Sequence, residues 1–149
     1  MYEIDLSTLM LIGLGNDNTK VITSDTDFVI NTNCNKIVDD SCEYFGSSLS
    51  DRIKMTNKLI KVSSKAPIII EESRNIIFFP LKSVRDNNNI WISFNNLDNY
   101  QKYGKKTILN FKCGKSITID FSYYIIDNQV TRSIMLDYEL IMRRKSLQK

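Results

Sequence analysis

The 149 residues, of which 42% are hydrophobic and 25% charged, are enough for one globular domain with its own core and exclude a largely disordered chain. The absence of histidine excludes the Ser-His-Asp triad and most zinc sites. The net charge of +3 is unevenly distributed along the chain. Residues 1–51 hold two basic and nine acidic residues, whereas residues 52–149 hold eighteen basic and eight acidic ones. This asymmetry favours a polyanionic partner or association through opposite faces.

The first third of the chain is predicted to be strands joined by turns. A strand is expected over residues 2–12, GNDN at 15–18 is typical of a turn, and residues 19–30 contain two short β-branched runs. The polar residues 31–35 are predicted to be a loop that leads into CEYFGSSLSDR at 42–52. Its GSS at 46–48 suits either an ordinary turn or a helix start whose amides bind a phosphate.

The middle of the chain is predicted to contain one short helix and several strands. Apolar spacing indicates a helix near 50–57, capped by Ser50 or Asp51, and then a strand at 58–63. Residues 68–70 and 76–80 are predicted to pair as a hairpin that Pro80 ends. A strand at 90–94 and a polar loop or single helical turn at 95–104 follow.

The last third is predicted to be a hairpin followed by a helix. TILNF at 107–111 and SITIDF at 116–121 flank the turn KCGK, and their alternation indicates a half-buried sheet. One apolar stripe at helical spacing then predicts a C-terminal helix that Ser122 would cap. The stripe consists of Ile126, Val130, Ile134, Tyr138 and Ile141. The expected fold is a single α+β domain over residues 1–149, rich in antiparallel strands, with a C-terminal helix.

Candidates for catalysis and metal binding are weak. Ser47 or Ser48 with Lys61 would form a Ser–Lys pair, but nothing in the spacing selects it. A cage of Asp25, Asp27 and Asp39 likewise has no metal-loop spacing. We therefore expect no catalytic residues, no metal and no cofactor.

The cysteines and the hydropathy pattern bear on location. Cys34, Cys42 and Cys113 are an odd number without CxxC spacing, which predicts reduced thiols, each buried as a small apolar residue. No apolar run approaches the roughly 20 residues of a membrane helix, and no segment resembles a signal peptide. The expected location is the cytoplasm, with no membrane association.

Basic residues are the most informative feature of the second part of the chain. They form three groups, and tyrosines are interleaved with the last one. The groups are Arg52, Lys54, Lys58, Lys61 and Lys65, then Lys82 and Arg85, and then Lys102, Lys105 and Lys106 with Tyr100 and Tyr103. Such clusters suit a nucleic-acid backbone, and the alternative is a solvated basic face.

Several blocks in order resemble the ComK family of competence transcription factors. KIVDDSCEYFGSSLSDR at 36–52 is similar to the family's V-D-x-S-C-x-x-F-G-S-S signature. KAPIII at 65–70, IIFFP at 76–80 followed by Ser83 and Arg85, and WIS at 91–93 also match in order. GK at 114–115 and NQVTR at 128–132 complete a resemblance that covers roughly residues 2–140.

The resemblance implies a DNA-binding activator of competence genes that binds A/T-rich promoter boxes as a dimer through the minor groove. The resemblance also implies that residues 42–52 form a turn. Cys42 and Phe45 would point inward, and Ser47 and Ser48 would lie near DNA. Arg52, Arg85 and Arg132 lie in matching blocks and are the first groove candidates, because a narrow A-tract groove attracts arginine. Phosphate contacts are expected from Lys54, Lys58, Lys61 and Lys65.

The expected partners are therefore promoter DNA, a second copy of the chain and RNA polymerase, with the protein associated with the nucleoid. Longer family members continue past the final helix, whereas this sequence ends at RRKSLQK. The alternative expectation is a shortened paralogue that binds a full-length relative and modulates it without contacting DNA. Its acidic first part and its apolar helix stripe would then form the contacts.

Overall fold

A computed structural model describes residues 2–147, and within that range the chain forms nine strands and three helices. The α+β fold class with a C-terminal helix is thus confirmed. The strands are β1 (Thr8–Gly15), β2 (Asn18–Thr23), β3 (Asp27–Ile30), β4 (Ile68–Glu71), β5 (Ile76–Pro80), β6 (Ile90–Ser93), β7 (Leu97–Tyr103), β8 (Lys106–Phe111) and β9 (Ser116–Ile119). The helices are α1 (Cys34–Tyr44), α2 (Leu49–Ile60) and α3 (Tyr123–Leu147).

The strands form two antiparallel sheets. The larger has the order β3-β2-β1-β6-β5-β4, and the smaller has the order β7-β8-β9. In the larger sheet Leu11 lies opposite Val21 and Trp91, and all three side chains point to one face. The adjacent Met10 and its partners point to the other face. Both faces of the large sheet are therefore covered, which explains the near-continuous apolar runs in its central strands.

Different elements cover the two faces. Helices α1 and α2 pack on one face through residues such as Val38, Cys42 and Leu49. The small sheet and the first turns of α3 pack on the other face, where Leu109 and Ile126 are fully buried. The second half of α3 then packs with the end of α2 over β4 and β5. The smaller sheet and α3 consequently form one continuous side of the molecule.

Helix α1 occupies residues that the sequence predicted as a loop and a turn. Asn33 caps it, with its Oδ1 accepting the Lys36 N–H at 2.9 Å. Cys34, Val38 and Cys42 are spaced four residues apart and are fully buried. The two adjacent aspartates obscured this helical spacing in the sequence, so the loop prediction for 31–35 was wrong beyond Asn33.

Helix α2 is longer than predicted at both ends. Ser48, rather than Ser50 or Asp51, is the N-cap, and its Oγ accepts the Asp51 N–H at 3.1 Å. The helix continues to Ile60 and ends where Lys61 adopts a left-handed conformation with φ 60°. The predicted strand at 58–63 was wrong because Ile60 packs into the core from the last helical turn.

The predicted hairpins are confirmed, and one strand is added to them. Strand β4 pairs with β5, and β8 pairs with β9, in the expected antiparallel register. Residues 97–103, predicted as a loop or helical turn, form β7 and pair with β8. All of its residues after Leu97 are exposed or half-buried and mostly polar. The strand therefore lacks the alternation of apolar and polar residues by which a strand is predicted from sequence.

Helix α3 buries a different stripe from the predicted one. Ile126 and Val130 are buried as expected, whereas Ile134, Tyr138 and Ile141 are 54%, 59% and 36% exposed. The buried face follows five side chains with spacings of four and three residues. They are Ile126, Val130, Ser133, Leu136 and Leu140. None of the helices within residues 2–147 is long and apolar enough to cross a membrane.

Candidate nucleic-acid interface

Arg52, a predicted groove residue, is buried rather than exposed. Only 6% of it is accessible to solvent, and its Nη1 lies 3.2 Å from Oε1 of Glu72. Nη2 donates to the Phe45 carbonyl at 3.4 Å, and Nε has no hydrogen-bond partner within the described residues. The guanidinium therefore links α2 to the turn between β4 and β5, and the structure does not offer it to DNA.

The rest of the 42–52 segment connects α1 to α2. Asp39 Oδ1 accepts the Leu49 N–H at 2.8 Å, which joins the two helices across the turn. Cys42 is inward as predicted, and burial raises the pKa of its thiol to about 12. Phe45, also predicted to point inward, is instead 36% exposed and packs edge-on against Tyr44. The segment thus positions helices, with Ser48 engaged as a cap.

The predicted lysines of α2 and its following loop are all exposed. Lys54 and Lys58 are four residues apart in α2, so they project from the same side of the helix, and Lys61 follows at the residue that ends it. Lys65 follows in the loop to β4, with φ 52°. These four positions form an exposed basic line, as a phosphate-binding role requires.

Hydrogen bonds from α3 hold Lys65 next to Arg132. Gln129 Nε2 donates to the carbonyls of Lys65 at 2.8 Å and Pro80 at 2.7 Å. Arg132 Nη1 donates to the Ser64 carbonyl at 3.0 Å. Residues 80 and 129 link the 61–67 loop to both α3 and β5, so Lys65 and Arg132 come together although they are distant in sequence.

The β7–β8 hairpin contacts the same helix nearer its N-terminus. Tyr100 Oη donates to Asp127 Oδ1 at 2.7 Å, and burial, followed by this bond, raises the pKa of Tyr100. Lys102 Nζ lies 5.6 Å from the centre of the Tyr124 ring, within cation–π range. The hairpin is therefore fastened to the first turns of α3.

These contacts create a continuous surface, which we call the basic ridge. Tyr124, Asn128 and Arg132 recur every four residues along α3, with Lys102 at one end and Lys65 at the other. The nine residues from 124 to 132 span about 12 Å at the helical rise per residue. Within residues 2–147, none of the three cationic groups of the ridge has an ion pair.

Arg85 lies on a separate loop between β5 and β6. Its side chain is exposed, and its backbone N–H donates to Ser83 Oγ at 3.2 Å. Asn35 of α1 holds this loop by donating to the carbonyls of Val84 and Asp86 at 2.8 and 2.9 Å. Arg85 is thus presented from the α1 side, whereas the ridge is tied to α3.

The family model described as ComK protein matches residues 1–145. This chain belongs to the ComK family. A Bacillus subtilis (strain 168) protein named Competence transcription factor is 32% identical to it over 139 residues, which cover 91% of this chain and 72% of that relative. No solved structure matches the chain.

The remaining predicted groups of this ComK-family chain are dispersed. Among residues 2–147, no three Cys, Asp or Glu side chains converge as metal ligands. Asp27 instead lies 3.0 Å from the Lys115 ammonium, and Asp39 is bonded to α2. Cys113 is exposed in the β8–β9 turn, so the prediction that every cysteine is buried was wrong for it.

Three ridge residues were absent from the set of sites predicted from the sequence. Lys102 belongs to a basic cluster that the sequence did reveal, but its placement on α3 depends on the unpredicted strand β7. Asn128 lies in the NQVTR block, whereas Tyr124 had no distinguishing pattern. A helical projection of residues 123–132 together with the lysine cluster would have pointed to this surface.

Proposed function

We propose that this ComK-family protein is a competence transcription factor that activates DNA-uptake genes by binding A/T-rich promoter boxes through the minor groove. Family membership and the likeness to the Bacillus subtilis competence transcription factor support the general role, and they favour a protein that is not an enzyme. DNA binding and its mode rest on the physical argument that follows.

The basic ridge is the observation that carries the proposal. Cations without ion pairs bind phosphates and release condensed counterions, which is the main source of affinity for DNA. Lys65, Lys102 and Arg132 are spread over a helix length of about 12 Å, so they can reach different phosphates of one duplex. Asn128 and Tyr124 between them add hydrogen-bonding and stacking capacity.

The sequence-predicted residues take different parts in this proposal. Lys54, Lys58 and Lys61 extend the phosphate-binding surface along α2 from Lys65. Arg85 is a candidate groove residue because it is exposed. Arg52 is left out because its guanidinium is buried against Glu72 and Phe45.

Fluorescence anisotropy with a labelled A/T-run duplex and a matched GC-rich duplex tests the function. We expect tighter binding to the A/T duplex, and an affinity that falls steeply as salt rises. Arg85→Ala should weaken binding, whereas Lys36→Ala, whose ammonium already pairs with Asp40 at 3.2 Å, should not. Equal affinity for both duplexes at moderate salt would contradict the proposal.

A homodimer is the proposed binding unit, and the exposed face of α3 supports it. Thr131, Ile134, Tyr138, Ile141 and Lys145 follow the alternating spacing of three and four residues that is typical of a helix–helix seam. The three apolar members of this set are exposed. A second copy packing on this stripe would bury them and present two basic ridges to paired DNA boxes.

Light scattering on the purified protein tests the dimer. Tyr138→Arg should convert it to monomers, and Tyr44→Arg is the matched control because both tyrosines are 59% exposed. If Tyr138→Arg keeps the mass of the unmodified protein, the α3 stripe is not the dimer surface.

Activation further requires a contact with RNA polymerase and a location on the nucleoid. An in vitro transcription assay on a promoter with A/T boxes measures the first directly. Stimulation that depends on the boxes is the expected result. Binding without stimulation would contradict the activator role while leaving DNA binding intact.

The exposed α3 stripe also favours a second candidate function. A protein-interaction modulator would use this face to pair with a longer ComK relative and would not contact DNA itself. Co-purification with such a relative, combined with no affinity for A/T duplex, is the outcome that favours this alternative.

A further inference from the structure

The tip of the β7–β8 hairpin extends beyond the basic ridge and has no packing role. Tyr103 pairs with Lys106, so Gly104 and Lys105 form a two-residue turn in which Gly104 has φ 61°. Tyr103 is 61% exposed, and the other three residues are exposed as well. A large aromatic side chain and two lysines are thus presented together at the end of a ribbon.

The hairpin is anchored at its base and free at its tip. Tyr100 bonds to Asp127, and Thr107 Oγ1 donates to the Phe121 carbonyl at 2.7 Å. These bonds and the Lys102–Tyr124 contact fix the direction in which the tip projects. The tip itself makes no side-chain hydrogen bond or ion pair within the described residues.

The charge around the tip is of one sign along the chain. Residues 99–119 contain five lysines and no acidic residue. The side chains of Lys105 and Lys106 therefore meet no carboxylate from their own segment. By contrast, Arg132 already donates to Ser64, and Lys82 lies 3.9 Å from Asp86.

We propose that the hairpin tip enters the minor groove of A/T-rich DNA, with Lys105 in the groove and Tyr103 and Lys106 against the adjacent sugar–phosphate backbone. This inference rests on the proposed DNA-binding function and names the element that contacts the groove. The basic ridge, which includes Lys102 directly before the tip, then holds the flanking phosphates.

Three physical features favour this placement. Gly104 lacks a side chain, so the turn can approach the backbone of the duplex closely. The minor groove is only about 6 Å wide, which suits the side chains of a tip better than the flat face of a sheet. A·T pairs lack the guanine amino group and narrow the groove, so a lysine meets acceptors in a strongly negative potential.

The test measures affinity by fluorescence anisotropy for three duplexes that differ only in the central run. One carries A·T pairs, one carries G·C pairs, and one carries inosine·C pairs, which lack the amino group in the minor groove. The unmodified protein should bind the A·T and inosine·C duplexes similarly, and the G·C duplex more weakly. Lys105→Ala should lose about tenfold in affinity for the first two duplexes and less for the third.

Lys112→Ala is the matched control, because Lys112 is an exposed lysine in the turn at the opposite end of the same small sheet. It should leave both the affinity and the preference for A·T pairs unchanged. Tyr103→Ala should weaken binding to all three duplexes by a similar factor, as a backbone contact does. Circular dichroism verifies that each variant is folded.

Two results would overturn the inference. If the unmodified protein prefers A·T DNA but Lys105→Ala binds like Lys112→Ala, the tip is not the groove element and the proposed function stands. If the unmodified protein shows no preference for A·T DNA, the proposed function itself fails, and the tip assignment fails with it.

Discussion

The signature block at residues 36–52 and the hairpin–helix region at residues 97–132 differ in how their polar groups are used. In the first region, Ser48 caps a helix, Asp39 bonds to the Leu49 amide, and Arg52 pairs with Glu72. In the second, Lys102 and Arg132 are held in position, and neither forms an ion pair within residues 2–147. Both regions contain polar residues in blocks that resemble the family.

Under the proposed function, the residues that make the family signature recognisable are not those that contact DNA. A buried arginine that bonds to two segments, as Arg52 does to Glu72 and to the Phe45 carbonyl, is required for packing as strictly as a contact residue is required for binding. We infer that the 36–52 block mainly positions α1 and α2. The basic ridge, which carries the proposed DNA-binding function, lies instead on the α3 side of the molecule.

The largest expected effect is on stability, from Arg52→Ala. Removing the side chain empties a buried site and breaks the bonds to Glu72 and to the Phe45 carbonyl. Because the Glu72 carboxylate is 63% exposed and stays solvated, we expect the free energy of unfolding to fall by about 2 kcal/mol. Urea denaturation measures it. Lys54→Ala, exposed on the same helix, is the control and should change stability by less than about 0.5 kcal/mol. If Arg52→Ala keeps its stability but loses DNA affinity, Arg52 belongs to the DNA-binding surface and its structural role is wrong.

The next effect is on DNA affinity, from the Lys65→Ala/Arg132→Ala double variant. Loss of two ridge cations should lower affinity about tenfold or more and reduce the slope of log affinity against log salt by about two. A salt titration by anisotropy gives both quantities. Lys36→Ala serves as the control. An unchanged slope would remove these two residues from the interface.

A smaller effect is expected at the start of α2. Ser48→Ala removes the Oγ that accepts the Asp51 N–H, so stability should fall by about 1 kcal/mol. Ser50→Ala is the matched control, because Ser50 is exposed inside the helix. DNA affinity should be unchanged in both variants. Reduced affinity in the folded Ser48→Ala protein would give the signature block a direct role in binding.

The smallest expected effect is a difference in thiol reactivity between the two regions. With a thiol reagent at pH 8, only the exposed Cys113 should react quickly, and Cys34 and Cys42 should react after unfolding. Burial raises the pKa of Cys34 to about 11 and that of Cys42 to about 12, from an ordinary value of 9.0. The pKa values of both thiols are higher in the folded state than in the unfolded state. Their contribution to the free energy of unfolding is therefore complete below pH 9 and is lost as the pH rises through about 11 for Cys34 and about 12 for Cys42. Rapid reaction of Cys42 in the native protein would show that the signature block is open.

Local pattern was sufficient for much of the fold but for little of the candidate site. The β4–β5 and β8–β9 hairpins were predictable because each alternates over a short range around a recognisable turn. Strand β7 was not, since an exposed edge strand need not carry apolar residues. The exposed lysines were predicted as basic groups, whereas the contacts that assemble Lys65, Lys102 and Arg132 are long-range.

Composition and pattern alone determined an α+β domain, a basic second part of the chain and the resemblance to the ComK family, because these are properties of local sequence and of ordered blocks. Only the tertiary structure decided which cations remain available. Arg52 lost that availability because its side chain is buried and its guanidinium is bound by Glu72 and the Phe45 carbonyl. Arg132 reached Lys65 because α3 crosses the loop after α2. Burial and long-range pairing depend on how elements pack, which the local spacing of residues does not specify.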